Sequence, residues 1–243
     1  MMSGNKEVKI FSDAGEMAEA VAFELFRMIK NSRQRFDIAL SGGSTPKLFF
    51  DVLASQYASK IPWERIHFWW GDERCVPPSD EESNYGMTLK HLFSKIAMDE
   101  SQIHRIKGEL APENAKGEYI KEIQSHLNER QNWPVFDLII LGMGSDGHTA
   151  SIFPHEMELL ESDEICAVAT HPESGQKRIS LTGHVINNAN RIYFLISGKS
   201  KAKRISEMMN NLKKAGKLPA FHIEPRQGKI VFFLDQAAAS KIS

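Results

Sequence analysis

Cysteine is scarce in this chain of 243 residues: Cys75 and Cys166 are the only two. They form no CxxC pair, and no His/Cys cluster has the spacing of a zinc site. The chain therefore reads as a reduced, cytoplasmic protein with no disulfide framework. Cys75 follows Arg74, whose charge could partly activate a thiol; a small residue filling a loop is the simpler reading. Long apolar runs are missing as well, so no membrane span is expected. Met1–Glu7 has no hydrophobic core segment, so no signal peptide is expected. Nor is there an excess of charge of one sign. Lysine and arginine total 30 and aspartate and glutamate 31, a net charge of −1, and such a chain has no global field to hold a nucleic acid. No internal repeat, low-complexity tract or linker divides the sequence, so residues 1–243 read as a single α/β domain.

What is present is alternation. Strand-like apolar runs occur at Val8–Phe11, Phe36–Leu40, Ile66–Trp70, Phe136–Leu141, Ile165–Ala169, Arg178–Leu181, Ile192–Ile196 and Ile230–Leu234. Helical stretches lie between most of them. Asp13 caps one whose face carries Met17, Val21, Leu25 and Met28. Pro46 suits the first turn of another, running to about Ser55. A polar loop from Asp80 to Asn84 precedes a helix over Tyr85–Ile96. Further helices are expected over Pro112–Arg130 and Lys199–Ala215, with a C-terminal stub. Strands separated by helices imply an α/β fold: an open, mostly parallel sheet with helices on both faces, Rossmann-like in kind.

In such a sheet the loops that follow the strands gather at one edge, where ligands bind. Four groups of polar residues fall there. Gly142-Met-Gly-Ser-Asp-Gly-His-Thr-Ala-Ser-Ile-Phe-Pro154 has three glycines in six residues, then Asp146 and His148. A histidine held at a strand end is a candidate general base; an ordinary strand–turn–helix junction is the alternative. Ser41-Gly42-Gly43-Ser44-Thr45-Pro46 opens a helix and can cradle a phosphate on backbone N–H groups. It is neither a Walker loop nor a GxGxxG fingerprint, and a hydroxyl-capped tight turn is its plainer reading. Gly71-Asp72-Glu73-Arg74 is either a solvated ion-pair cluster or, beside Trp69 and Trp70, a site where Arg74 clamps an anion. Arg178 and Lys201 complete the set as basic residues near strand ends. His67, His104, His171, His184 and His222 read as surface or packing residues, with no spaced metal pair among them. Trp63, Trp69, Trp70 and Trp133 read as packing groups.

Taken in order, these segments resemble the 6-phosphogluconolactonase family. The resemblance rests on the loops at 41–46, 71–77 and 142–154, on Asp80 with Ser83-Asn84, on Arg178-Ile-Ser-Leu-Thr182, on the Lys201 segment and on Leu234-Asp-Gln-Ala-Ala238. It implies hydrolysis of 6-phospho-D-glucono-1,5-lactone, the second step of the oxidative pentose phosphate pathway. His148 would be the general base, with Asp146 or Asp72 as its orienting acid. Gly42, Gly43, Ser44, Thr45, Arg178 and Lys201 would hold the phosphate, and Arg74 either the phosphate or the oxyanion. The resemblance implies no metal and no cofactor, a small-molecule partner only, and a monomer or weak homo-oligomer.

Glucosamine-6-phosphate deaminase/isomerases are similar at the phosphate loop and the Asp-Gly-His turn. Their pattern continues to Phe-Asn-Glu-Pro and carries Asp-Glu-Tyr. Here Phe153 stands at the glutamate's position and Arg74 at the tyrosine's, which favours lactone hydrolysis. A non-catalytic sugar-phosphate sensor would be expected to add a DNA-binding module, for which the residues before the first helix leave no room. A serine hydrolase would need a Gly-x-Ser-x-Gly elbow, and none occurs.

Overall fold

The computed structural model describes residues 6–31, 34–210 and 212–242; most of the N-terminal stretch read above lies outside them. In chain order the strands are β1 (Lys6–Phe11), β2 (Phe36–Leu40), β3 (Ile66–Trp70), β4 (Asp72–Arg74), β5 (Glu129–Arg130), β6 (Trp133–Pro134), β7 (Leu138–Leu141), β8 (Cys166–Thr170), β9 (Lys177–Leu181), β10 (Arg191–Ile196) and β11 (Lys229–Asp235). The helices are α1 (Ala14–Asn31), α2 (Ser44–Gln56), α3 (Asn84–His91), α4 (Pro112–His126), α5 (Gly183–Ile186), α6 (Ala202–Asn210), α7 (Leu212–Ala215) and α8 (Gln236–Ala239).

Six strands form one sheet in the order β1-β11-β10-β7-β2-β3, and every pairing in it is parallel. Each residue of β2 and of β7 is buried. Burial on both faces of a strand requires cover on both sides of the sheet, as parallel sheets demand. From β2 the chain steps outward to β3 on one side. It later returns to β7 on β2's other side and continues to β10 and β11. The crossovers therefore diverge between β2 and β7, and a crevice opens at the carboxyl ends of those two strands.

Local signals account for most elements. Asp13 Oδ1 accepts from the backbone N–H groups of Gly15 and Glu16 at the start of α1. Met17, Val21, Leu25 and Ile29 form its buried stripe, while Met28 sits at the margin. Ser83 caps α3 by accepting from the Gly86 N–H. The three tryptophans nearest the sheet, Trp63, Trp69 and Trp70, are buried core groups.

Five expectations need correction. Asp72–Arg74 is not a loop but a strand, in a second, antiparallel sheet of order β4-β9-β8. Arg178 accordingly lies early in β9, not at the end of a parallel strand. The long charged helix stops at His126, because Glu129–Arg130 and Trp133–Pro134 pair as a hairpin; its turn residues Gln131 and Asn132 both have positive φ. The Tyr85–Ile96 helix ends at His91 and continues as a 3-10 turn over Phe93–Lys95, and Lys199–Ala215 is broken into a 3-10 turn, α6 and α7, with Asn211 outside the described residues. Among the described residues no helix is long and apolar enough to cross a membrane.

Glu73 binds the two sheets' junction to α3. It is 2% exposed, and its carboxylate accepts from the backbone N–H groups of Arg74, Asn84 and Tyr85 and from the Ser83 hydroxyl. A carboxylate at a helix N-terminus meets otherwise unpaired N–H groups. Burial raises its pKa, and these hydrogen bonds oppose the rise. Replacing Glu73 by alanine would leave buried donors unpaired. The expected cost is about 3 kcal/mol of stability, read as a shift in the urea denaturation midpoint at constant slope.

Candidate active site

The crevice between β2 and β7 holds a cavity of about 230 Å³. The loops after β2, β7 and β10 line it, together with residues of β4 and β9. Every residue placed at the site from sequence reaches this cavity except Asp146, which stands directly behind His148.

The turn after β7 is fastened at several points. Gly144 N–H donates to the His148 carbonyl, and Gly147 N–H to the Gly144 carbonyl. Thr149 Oγ1 donates to the Gly142 carbonyl at 2.9 Å, and Arg204 Nε to the Ser145 carbonyl at 3.0 Å. Inside the turn, His148 Nδ1 lies 2.7 Å from Asp146 Oδ1, and the His148 N–H donates to the same oxygen at 3.1 Å. The carboxylate thus fixes the ring and places the proton on Nδ1. Nε2 has no hydrogen-bond partner among the described residues, which leaves its lone pair for a ligand. A side chain at Gly144 would be impossible: a Cβ there would stand 2.2 Å from His148 Nδ1 and 2.4 Å from Asp146 Oδ1. The glycine exists so that the pair can close over the backbone.

Asp72, the other candidate orienting acid, does not touch His148. Its carboxylate accepts from Ser151 Oγ at 2.6 Å, and its backbone carbonyl accepts from Asn84 Nδ2 at 2.8 Å. Asp72 is thus a buried wall of the cavity, and Asp146 is the acid on the histidine. Asn84 also reaches the phosphate-type loop, for a Cβ at Gly42 would stand 1.8 Å from Asn84 Oδ1. Sequence reading treated Asn84 only as part of a cap; its pairing with a glycine 42 positions earlier has no local signal.

Arg74 and Arg178 are direct cross-strand partners in β4 and β9. Like charges in that position repel. Both Nε atoms are buried without a hydrogen-bond partner. Arg74 Nη1 donates to the Glu82 carbonyl, and the Arg178 guanidinium lies 5.6 Å above the Phe153 ring. Burial lowers the Arg178 pKa and the Arg74 charge adds to this, against the raising influence of Asp72 and Glu82. Lys201 joins the same cavity, its pKa lowered by burial and supported by the Asp146 charge. Three cations turned on one cavity, two with unsatisfied donors, describe a receptor for an anion. The loop before α2 adds the N-terminal N–H groups of a 13-residue helix. Thr45 Oγ1 pairs with Ser197 Oγ at 2.8 Å, joining this loop to the one after β10. That second loop is set by Asp235, whose carboxylate accepts from the Gly198 and Ala238 N–H groups.

Phe153 is fully buried and packs on the His148 ring with centroids 4.8 Å apart. The face of the histidine ring is therefore covered by an apolar group. Cys75 is no nucleophile, since burial pushes its thiol pKa up and the Glu73 charge reinforces the rise.

Comparison with known proteins identifies the family. The sequence pattern of the family described as Glucosamine-6-phosphate isomerases/6-phosphogluconolactonase matches residues 12–232. The chain belongs to this family. The 6-phosphogluconolactonase of Treponema pallidum is 42% identical over 219 residues, 90% of each chain. That of Haemophilus influenzae is 46% identical over 202 residues, 83% of this chain and 85% of its own. The solved structure of devB protein superposes with a TM-score of 0.94 at 41% identity, over 98% of this chain and 100% of its own.

The Asp146–His148 contact has a measurable consequence. Burial alone would raise the Asp146 pKa, but hydrogen bonding and charge from His148 bring it down from 3.8 to about 2. A depressed carboxylate pKa stabilises the fold above the unfolded value and ceases to do so as pH falls through the folded one. In a dry site the shift would correspond to roughly 2.4 kcal/mol; with the carboxylate 39% exposed, solvent screening leaves about 1 kcal/mol. A carbon-13 carboxylate titration should find Asp146 still ionised at pH 3, and Asp146→Asn should lower stability at pH 5 by about that amount.

Proposed function

We propose that this protein hydrolyses 6-phospho-D-glucono-1,5-lactone to 6-phosphogluconate, in the position of the second step of the oxidative pentose phosphate pathway. The observation that carries the reading is one cavity lined by two chemically distinct sets of groups. One is a histidine with a free Nε2, oriented by a carboxylate. The other is Arg74, Arg178 and Lys201, the two arginines each with a buried Nε that has no hydrogen-bond partner. Relatives that share most of the chain's length bear the lactonase name.

In this mechanism the phosphate is held by the Gly42–Thr45 loop, Arg178 and Lys201, with Arg74 beside them. The anchored phosphate sets the lactone carbonyl carbon against a water on His148 Nε2. Holding the two reactants in place supplies orientation that a free collision lacks. The water oxygen bonds to the carbonyl carbon as Nε2 takes its proton. Backbone N–H groups of the glycine-rich turns steady the resulting oxyanion, a contribution of about 3 kcal/mol per donor in comparable sites. Collapse of the tetrahedral intermediate breaks the bond to the ring oxygen, which leaves as a hydroxyl with the proton returned from His148. Asp146 stabilises the imidazolium formed in between. A lactone is an activated ester, so no covalent enzyme intermediate is required. Phe153 leaves the histidine without the second carboxylate that the amino-sugar reaction uses.

The direct test is hydrolysis of freshly generated lactone, with spontaneous opening subtracted and glucosamine 6-phosphate run in parallel. Acceleration of lactone opening without ammonia release is expected; ammonia release would assign the deaminase reaction instead. His148→Ala should lower kcat by about 10²–10⁴ while leaving product affinity within a few-fold, and near-normal turnover in the folded variant would remove the base assignment. Lys201→Ala should act mainly on KM, raising it about tenfold, as loss of one charge-assisted contact does.

A further inference from the structure

Among the described residues, three potential metal-ligating side chains outside the cavity come together where α4 meets the segment beside β3. We propose that His104, Glu122 and His126 form a binding site for a borderline divalent transition metal ion, zinc or cobalt in kind, that fastens α4 to the segment beside β3. One donor atom from each residue lies within 4.8 Å of the other two.

The geometry is prepared in several ways. Glu122 and His126 are one turn apart on α4 and share a face. His104 comes from the segment laid against β3, where its N–H donates to the Phe68 carbonyl at 2.8 Å. Its ring lies flat on Trp69, with centroids 3.9 Å apart and planes within 9°. One ring nitrogen, Nε2, meets His67 Nδ1 at 2.8 Å. The other, Nδ1, meets Glu122 Oε1 at 2.7 Å. An imidazole oriented by a partner on its far nitrogen is the arrangement found behind metal-bound histidines. His126 Nδ1 lies 3.5 Å from the same carboxylate oxygen. It now contacts Ser125 Oγ and the Glu122 carbonyl; its side chain is 37% exposed, and its ring already lies 4.7 Å from that of His104.

Two imidazoles and one carboxylate suit zinc-like ions. Magnesium and calcium need more oxygen donors than this site offers. The nearby cations do not oppose an ion strongly, because each has its own acid: Arg105 with Glu109, Lys107 with Glu118, and Arg35 with Asp37. None of the three ligands lines the active-site cavity, so the ion's effect is structural. It would act through α4, whose Tyr119 hydroxyl both accepts from the Trp70 N–H and donates to the Trp70 carbonyl. Two residues later the chain reaches Asp72.

The test uses the full chain, freed of metal with a chelator and exchanged into chelator-free buffer. Zinc at a hundredfold excess over Kd should raise Tm by about 5–10 °C, calorimetry should give one ion per chain, and cobalt should show the visible bands of a tetrahedral site. Magnesium should give no rise. The Glu122→Gln/His126→Ala protein should lose the rise while its metal-free Tm stays within a few degrees, and His126→Ala alone, at an exposed position, serves if the double variant fails to fold. No rise with zinc, an equal rise with magnesium, or an undiminished rise in the variant would overturn the site.

Discussion

The divergence of the chain between β2 and β7 is the constraint from which the site follows. A parallel sheet cannot be built by short returns, so each strand ends in a loop at the same edge. Where neighbouring crossovers leave in opposite directions, those loops part and a hollow is left. The loop after β2 brings an α-helix N-terminus to one wall. The loop after β7 brings the Asp146–His148 pair to the other. The second sheet closes the hollow from the side, because β4 leaves β3 after a single residue, Gly71, and pairs with β9. Without that departure Arg74 and Arg178 would not face each other across a ladder.

Within this frame, close approach of backbone to side chain does more than any single ion pair. Gly144 allows the histidine and its acid to lie over the turn, and Gly42 allows Asn84 to lie against the phosphate-type loop. Asn84 in turn holds the Asp72 carbonyl, and Glu73 holds the start of the helix that carries Asn84. The catalytic turn, the anion loop and the second sheet are thus connected through a short chain of buried polar contacts. Such contacts strengthen one another in low dielectric and leave costly unpaired groups when one is removed. The two unpaired arginine Nε atoms stand out against that background: among the described residues they and Trp70 Nε1 are the buried side-chain donors without a partner.

Much of this was legible in the residues because strand, turn and helix carry local signals. The apolar runs of β2, β3, β7, β10 and β11 are buried on all or nearly all positions, which is what a covered parallel strand requires. The glycine-rich turns marked the loops that meet. What local signals do not carry is partnership at long range. Asp72-Glu73-Arg74 is three charged residues, and on its own it reads as a solvated loop; it becomes a strand only because β9 offers its ladder more than a hundred positions later. The choice between Asp72 and Asp146 could not be made from spacing alone, since Asp72 is claimed by Ser151, 79 positions away. The histidine cluster was invisible for the same reason: His104 and Glu122 meet across a gap of 18 residues and belong to different elements.

The charge of the chain can now be understood at the scale where it acts. A net charge of −1 offers no long-range pull on an anionic substrate. The cavity supplies that attraction locally, with Arg74, Arg178 and Lys201 on its walls. In the proposed reaction the carbonyl oxygen gains charge only as water adds, so donors aimed at it favour the transition state over the ground state. Contacts to the phosphate stay the same throughout and contribute position at the carbonyl. On the proposed reading the histidine acts on a water beside it, and Asp146, its pKa lowered to about 2, holds the ring through Nδ1. Arg178 lies over the same Phe153 ring on which His148 packs, and Lys201 feels the Asp146 charge, so the cations and the histidine pair act within one small cavity and not as separate sites.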